Sequence, residues 1–261
     1  MQAIILAAGM GKRLVELTKE SPKCLLNFLG KSLIERQIAN FNICGIRDII
    51  VVAGYREEKI ALPCIRKVIN PYYDTTNMVE SLFCSESLWD DTIIVSYGDI
   101  IYEKKVLESM MRSKDDISVI IDKNGVGYFK DRFKDAYLKH LESLRLSPEG
   151  NILNIGETVS SADGVQGQYI GLLKFNKKGM SDISSIYHRD KEFYDKPWMR
   201  SRSLSQAYMT DVLQKMIDEG FAIGSVGING GWLEFDTVDD YKKYVNWHEK
   251  GMLKKYMGPS L

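Results

Sequence analysis

An apolar run, Ala3-Ile4-Ile5-Leu6-Ala7, leads into Ala8-Gly9-Met10-Gly11-Lys12-Arg13-Leu14, and Ser21-Pro22-Lys23 follows after a short gap. A strand that ends in a glycine turn lets backbone N–H groups approach an anion, and Lys12, Arg13 and Lys23 bring positive charge to the same place. That combination suits a polyphosphate. Two later segments offer carboxylates at the ends of extended chain: Ile94-Val95-Ser96-Tyr97-Gly98-Asp99, and Trp232-Leu233-Glu234-Phe235-Asp236, whose alternation puts Glu234 and Asp236 on one face. No Ser/His or Cys/His nucleophile set accompanies them. Transfer between phosphates asks for none, because an acceptor phosphomonoester is largely dianionic at neutral pH and the protein has mainly to align and neutralise.

The glycine turn is not a P-loop: Arg13 follows Gly11-Lys12 where Ser or Thr would stand. Nor is it a dinucleotide fingerprint, since Leu14 occupies the place of the third glycine. Taken together, Leu6 to Leu14, then Pro22-Lys23-Cys24-Leu25, then Gly30-Lys31-Ser32-Leu33-Ile34 resemble the sugar-phosphate nucleotidyltransferases, which make sugar nucleotides and CDP-alcohols. Glu16-Leu17-Thr18 stands where members often carry Pro-Leu-Thr. The resemblance implies that Lys23 contacts the α-phosphate while Lys12 and Arg13 flank the β- and γ-phosphates. It also implies a Mg²⁺ site on Asp99, after Gly98, completed by Asp236 with Glu234 beside it. Asp236 has a second reading, as the N-cap of a helix starting near Val238.

For the nucleoside, Leu6, Ala7, Ala8, Gly9 and Gly11 offer backbone, and Ala53-Gly54 ends another strand at the same sheet edge. Asn70-Pro71 and the run from Thr75 to Leu82 resemble a turn and helix of bacterial phosphocholine cytidylyltransferases, with Asn77 and Ser81 sharing a face at i,i+4. An ordinary Asn cap is the other reading of Asn77. Gly167-Gln168-Tyr169-Ile170-Gly171 and Ala207-Tyr208-Met209-Thr210-Asp211 extend the resemblance to that branch over most of the chain. Stretches 123–162 and 188–204 match no motif, which makes them the expected readers of the acceptor. Tyr169, Trp198, Tyr208 and Trp232 are candidates for an aromatic box around a quaternary ammonium, with core packing as the alternative.

The resemblance thus implies a CTP-dependent cytidylyltransferase that joins CMP to a small phosphorylated alcohol such as phosphocholine, with Mg²⁺, in surface-polysaccharide biosynthesis. A sugar-1-phosphate uridylyl- or thymidylyltransferase and a catalytically silent nucleotide-binding subunit are the alternatives.

Apolar runs alternating with amphipathic ones must position these residues. Strands are expected over 2–7, 48–53, 67–69, 92–96 and 117–122, and helices over 32–42, 79–88 and 104–113. The pattern is α/β: a Rossmann-like, mostly parallel mixed sheet with helices on both faces, whose ligands sit beyond strand carboxyl ends. A small inserted hairpin is expected at 141–146 and 151–155. Beyond it come a strand at 168–175, a helix at 205–219, extended pieces at 221–226 and 232–235, and a helix over 238–250.

One domain over 1–261 is expected, with a nucleotide-binding half to about 122 and an acceptor-binding, metal-completing half after it. Thirty-five basic and thirty-five acidic residues cancel, which argues against a nucleic-acid partner. No apolar run is long enough to cross a membrane, so a cytoplasmic protein is expected, with a homo-oligomer left open. Cysteines at 24, 44, 64 and 84 share no flanking pattern and no C-x-x-C pair, and are expected as free thiols.

Overall fold

Six consecutive buried residues form β1 (Gln2–Ala7); Ala3, Ile5 and Ala7 join one apolar core, Ile4 and Leu6 the other. A strand with two buried faces belongs at the middle of a covered sheet. The computed structural model describes residues 1–258. After β1 the glycine turn runs through a 3-10 turn (Lys12–Leu14) into the short α1 (Val15–Thr18) and a second 3-10 turn (Lys23–Leu25). A two-residue ribbon, β2 (Asn27–Phe28) with β3 (Lys31–Ser32), delivers Ser32 to cap α2 (Leu33–Ile43) in a reciprocal capping box with Glu35.

Then follow β4 (Ile49–Ala53), β5 (Arg66–Ile69), α3 (Met78–Phe83), β6 (Thr92–Tyr97), β7 (Ile100–Tyr102), α4 (Lys104–Arg112) and β8 (Ile117–Asp122). The second half carries α5 (Gly125–Phe133), the hairpin β9 (Glu142–Leu146) and β10 (Ile152–Thr158), β11 (Gln168–Asn176), α6 (Lys177–Arg189), α7 (Met209–Asp218), β12 (Gly224–Ile228), β13 (Trp232–Glu234) and α8 (Val238–Glu249).

The seven-stranded sheet has the order β12-β8-β11-β6-β1-β4-β5. β11 alone runs antiparallel to its neighbours. The chain order reverses direction around β1, between β4 and β6, and a doubly wound sheet opens its ligand crevice at such a point. Off the sheet, β13 pairs antiparallel with β7, Glu234 opposite Ile100. That pairing carries the late acidic segment to the early one.

The expected α/β fold is the observed one. Its local departures have tertiary causes. Helices α5 and α6 were not expected: each carries a glycine, a weak helix former, in its first turn, Gly125 and Gly179. A Cβ on Gly125 would lie 2.6 Å from the Gln168 Cβ, and one on Gly179 2.3 Å from the Asp116 carbonyl oxygen, so the sheet requires both glycines. Residues 79–88 divide into α3 and a 3-10 turn (Glu86–Leu88), and the helix expected from 205 starts at Met209. The last sheet strand falls at Gly224–Ile228, two residues later than expected. No described helix is long and apolar enough to cross a membrane. All four cysteines are free.

Candidate active site

The cleft at the carboxyl end of β1 is lined by Leu6, Ala7, Ala8, Gly9, Gly11 and Lys23 on one side, and Tyr97, Gly98 and Asp99 on another. Gly98 is there for space: a Cβ would stand 2.8 Å from the Leu6 carbonyl oxygen, which also accepts the Gly98 N–H at 2.8 Å. Asp99 is thereby held beside the glycine turn. The buried Gln37 fixes the same bend, its amide donating to the Tyr97 and Ile100 carbonyls at 2.8 and 2.7 Å. Gly11, at φ +63°, would place a Cβ 3.1 Å from that of Lys23; its absence lets the lysine stem lie against the turn.

Three carboxylates converge there. Ligand atoms of Asp99, Glu234 and Asp236 lie within 4.8 Å of one another. Lys23 Nζ bridges two of them, 2.6 Å from Asp99 Oδ2 and 2.9 Å from Asp236 Oδ1, while Arg13 Nη2 reaches Asp236 at 3.1 Å. Lys12 is exposed. Asp236 does not cap α8: Thr237 does, in a capping box with Asp240, which leaves the Asp236 carboxylate for the cleft.

Arg132 completes the arrangement and was missed, since it sits on α5. Fully buried, it holds Asp240 through Nε and Nη2 at 2.8 and 2.9 Å, Glu234 at 2.5 Å and Asp236 at 3.3 Å. A guanidinium can serve three carboxylates at fixed angles, as an ammonium cannot. Burial raises the Asp236 pKa, but Lys23, Arg132 and Arg13 outweigh it and bring it down to about 2. Glu234 goes the other way. Burial and the neighbouring Asp236 push it up to about 7 against the pull of Arg132. On Lys23, burial disfavours the charge, yet Asp99 and Asp236 win and raise its pKa.

Opposite the glycine turn, the first cavity is closed by Tyr73, Thr76, Asn77, Met78 and Ser81. Asn77 lines the cleft, and its Oδ1 accepts the Met78 N–H at 2.9 Å to cap α3, the second of its two expected readings. Ser81 accepts from the buried Asn70 at 3.0 Å. Ala53 and Gly54 do not line the cleft. Ala53 is buried in β4, and the place of a Gly54 Cβ is taken by Tyr73 at 2.5 Å and the Ala8 oxygen at 2.8 Å, so Gly54 serves packing.

A second cavity, of about 450 Å³, adjoins the first through their shared Met78 and Tyr97. Glu234, Asp236 and Arg13 line it, together with Phe133, Lys139, His140, Glu142, Gln168, Tyr169 and Tyr208. Of the four aromatics proposed for a cationic box, the structure thus brings Tyr169 and Tyr208 to this cavity. Trp198 and Trp232 are core residues, 5% and 2% exposed, with their indole N–H groups on Asp190 and Asp122 at 2.9 and 2.8 Å. A buried Trp with its polar edge satisfied is packing. Stretch 123–162 contributes Phe129, Phe133, Glu142 and Thr158 to the cavity, whereas Tyr194, Asp195 and Arg202 from 188–204 face a separate groove beside Tyr72 and Thr75.

A family model described as the MobA-like NTP transferase domain matches residues 3–156. The chain belongs to this family. It is a nucleotidyltransferase of the sugar-phosphate nucleotidyltransferase superfamily. Across 259 residues, 94% of the chain and 99% of the relative, it is 32% identical to the CTP:phosphoglutamine cytidylyltransferase of Campylobacter jejuni. The choline-phosphate cytidylyltransferase of Streptococcus pneumoniae is 32% identical over 117 residues, 43% of this chain and 51% of that one. Among solved structures, the inositol-1-phosphate CTP transferase of T. maritima superposes with a TM-score of 0.72 at 22% identity, covering 98% of this chain and 97% of that one. The CTP:phosphocholine cytidylyltransferase of S. pneumoniae gives 0.70 at 21%, covering 94% and 97%. These structures share the fold of this nucleotidyltransferase.

Proposed function

We propose that the protein transfers CMP from CTP to a small phosphorylated acceptor and releases pyrophosphate. The observation that carries this reading is the wall between the two cavities, where Lys23 lies between Asp99 and Asp236 and Asp99 Oδ1 is buried without a hydrogen-bond partner. A buried carboxylate oxygen left unpaired is costly and fits a site made for a cation. Asp99 and Asp236, with Glu234 beside them, would hold Mg²⁺, which when bound neutralises charge on the phosphates.

The triphosphate lies along the glycine turn and the acceptor phosphate enters from the second cavity. An acceptor phosphate oxygen attacks the α-phosphorus, the bond from that phosphorus to the bridging oxygen breaks, and its electron pair leaves on pyrophosphate. The attacking dianion needs no proton removed. Lys23, compact and mobile at its tip, follows the charge that builds on the α-phosphoryl oxygens, and Arg13 spans the departing phosphates. Phosphocholine is the acceptor that the sequence resemblance favours; the Campylobacter relative's name offers phosphoglutamine as its competitor.

The preference for CTP rests on the cytidylyltransferase relatives and on the polar Thr76, Asn77 and Ser81 facing the first cavity. A pocket that hydrogen-bonds the cytosine amino group leaves a buried acceptor unpaired when uracil enters. Pyrophosphate release from CTP, UTP, dTTP and ATP, each with phosphocholine and a panel of other phosphorylated acceptors, tests this. CTP is expected to exceed UTP and dTTP by at least tenfold, about 1.4 kcal/mol; equal rates reject the assignment.

A further inference from the structure

The second cavity holds one carboxylate that the reaction above leaves unused. Glu142 opens β9, and its backbone is clamped to the buried Gln168: the Gln168 amide donates to the Glu142 carbonyl at 2.7 Å, and the Glu142 N–H donates to Gln168 Oε1 at 3.3 Å. Its side chain is directed to the cavity that Tyr169, Tyr208 and Phe133 line. Among the described residues no Lys, Arg or His nitrogen lies within 4.0 Å of it. The charges that act on its carboxyl are those of Arg200 and Asp211, and Arg200 is already committed, donating to Asp211 Oδ1 at 2.9 Å, the Ile155 carbonyl at 2.9 Å and the Thr210 carbonyl at 3.0 Å. Burial, set against Arg200, raises the pKa of Glu142.

Asp236 has a different set of neighbours, Lys23, Arg132 and Arg13. Lys139 and His140 also line the cavity, but among the described residues neither is ion-paired with Glu142, so the cavity holds two separate acidic places: one bound to cations and facing the phosphates, the other without an ion-pair partner. Tyr169 adds a second unmet demand, since its hydroxyl is buried with no hydrogen-bond partner. A half-desolvated carboxylate among aromatic faces is a poor arrangement for an empty protein and a good one for a ligand ammonium, which gains from the charge and from the rings alike.

We infer that the acceptor is a phosphorylated metabolite bearing an ammonium group, and that Glu142 is the residue that selects it. The ammonium sits against Glu142 with Tyr169 and Tyr208 beside it, while the phosphate points to Asp99 and Asp236. This rests on the cytidylyl-transfer reading above and adds the charge of the acceptor's far end.

The test uses the full chain with CTP and Mg²⁺ and compares acceptors that differ only in that charge. Phosphocholine is set against its carbon isostere 3,3-dimethylbutyl phosphate, phosphoethanolamine against propyl phosphate, and O-phosphoserine is included as an α-amino acid. Each is followed by pyrophosphate release and, with a non-hydrolysable CTP analogue, by titration calorimetry. At least one ammonium acceptor is expected to exceed its neutral counterpart by about 30-fold or more in kcat/KM and in affinity. Glu142→Gln and Glu142→Ala are each expected to collapse that ratio to below fivefold, and Glu142→Asp to restore part of it. CTP-analogue affinity reports the integrity of the fold in every variant.

Neutral acceptors that match their ammonium counterparts overturn the inference, as does a ratio that survives in Glu142→Gln, which would make Glu142 a protonated hydrogen-bonding group. Binding of none of the ammonium probes overturns it too. Turnover of neutral acceptors with CTP at rates equal to those of their ammonium counterparts sinks the inference while leaving cytidylyl transfer standing. Pyrophosphate release from no nucleotide sinks cytidylyl transfer, and the calorimetric ratio still judges Glu142.

Discussion

The two cavities that meet at Tyr97 are built in opposite ways. The nucleotide side is built around one stretch of chain, Leu6 to Gly11, whose backbone is presented at a strand end and whose Gly11 lets Lys23 come close. The acceptor side is assembled from side chains on α5, the β9–β10 hairpin, β11, the start of α7, β13 and the residues after it, spread over about a hundred positions of the chain. A backbone cradle suits what every nucleotide shares, its phosphates; a wall of separate side chains suits what differs between acceptors. Arg132 belongs to the second half yet bears on the first, because it fixes Asp236, which shares Lys23 with Asp99 of the nucleotide side.

The strongest challenge to that division is removal of Arg132. Arg132→Met leaves Glu234, Asp236 and Asp240 without their shared cation in a buried place, and loss of about 3 to 5 kcal/mol of unfolding free energy is expected in chemical denaturation. A loss below 1 kcal/mol would mean that the acids are held by their own strands.

Asp99→Asn or Asp236→Asn should lower turnover by about a hundredfold or more, roughly 2.7 kcal/mol, by weakening the charge that stabilises the transferring phosphoryl group. Either variant within twofold of the parent would move the reaction centre elsewhere. Lys23→Ala sharpens the same border. If the ammonium leaves its two carboxylates for the α-phosphate in the transition state, turnover falls by more than the apparent KM for CTP rises. Weaker CTP binding at unchanged turnover would assign Lys23 to the ground state.

The smallest expected effect isolates the acceptor side. Glu142 lines a cavity with Lys139, His140 and Tyr169, feels the charges of Arg200 and Asp211, and has its pKa raised in the folded chain by burial. A carboxyl that holds its proton more tightly when folded contributes stability below its ordinary value of 4.5 and loses that contribution as pH rises through the raised value. Gln does not titrate. Glu142→Gln should therefore melt about 2 °C above the parent at pH 8 without acceptor, with the difference shrinking toward pH 4. An equal difference at both pH values would show that charge at Glu142 is not what costs stability.

The glycine turn, the Gly98-Asp99 strand end and the Glu234-x-Asp236 alternation are legible because each is a local pattern whose cause lies within a few residues. So are the central strands of the sheet, whose apolar runs are buried on both faces. Other features had no local signal. Gly125 and Gly179 weaken the local helix signal and are helix residues in the structure, where Gln168 and the Asp116 carbonyl leave no room for a Cβ. Gly54 read as a ligand-facing turn and is a packing contact under Tyr73. Trp198 and Trp232 have the right chemistry for a cationic box, but composition cannot tell which aromatic rings a core will claim.

By itself, then, the sequence determined the class of chemistry: a phosphate-holding turn, its cations and its acids, all set by residue type and short spacing. Only the tertiary structure decided their meeting. The pairing of β13 with β7 brings Asp236 to Asp99, Arg132 reaches them from a helix that begins at a glycine, and Glu142 is left facing a cavity with no ion-pair partner among the described residues. These depend on contacts between segments far apart in the chain, where the deciding quantity is the space and charge that one element leaves for another, and no stretch of sequence carries that alone.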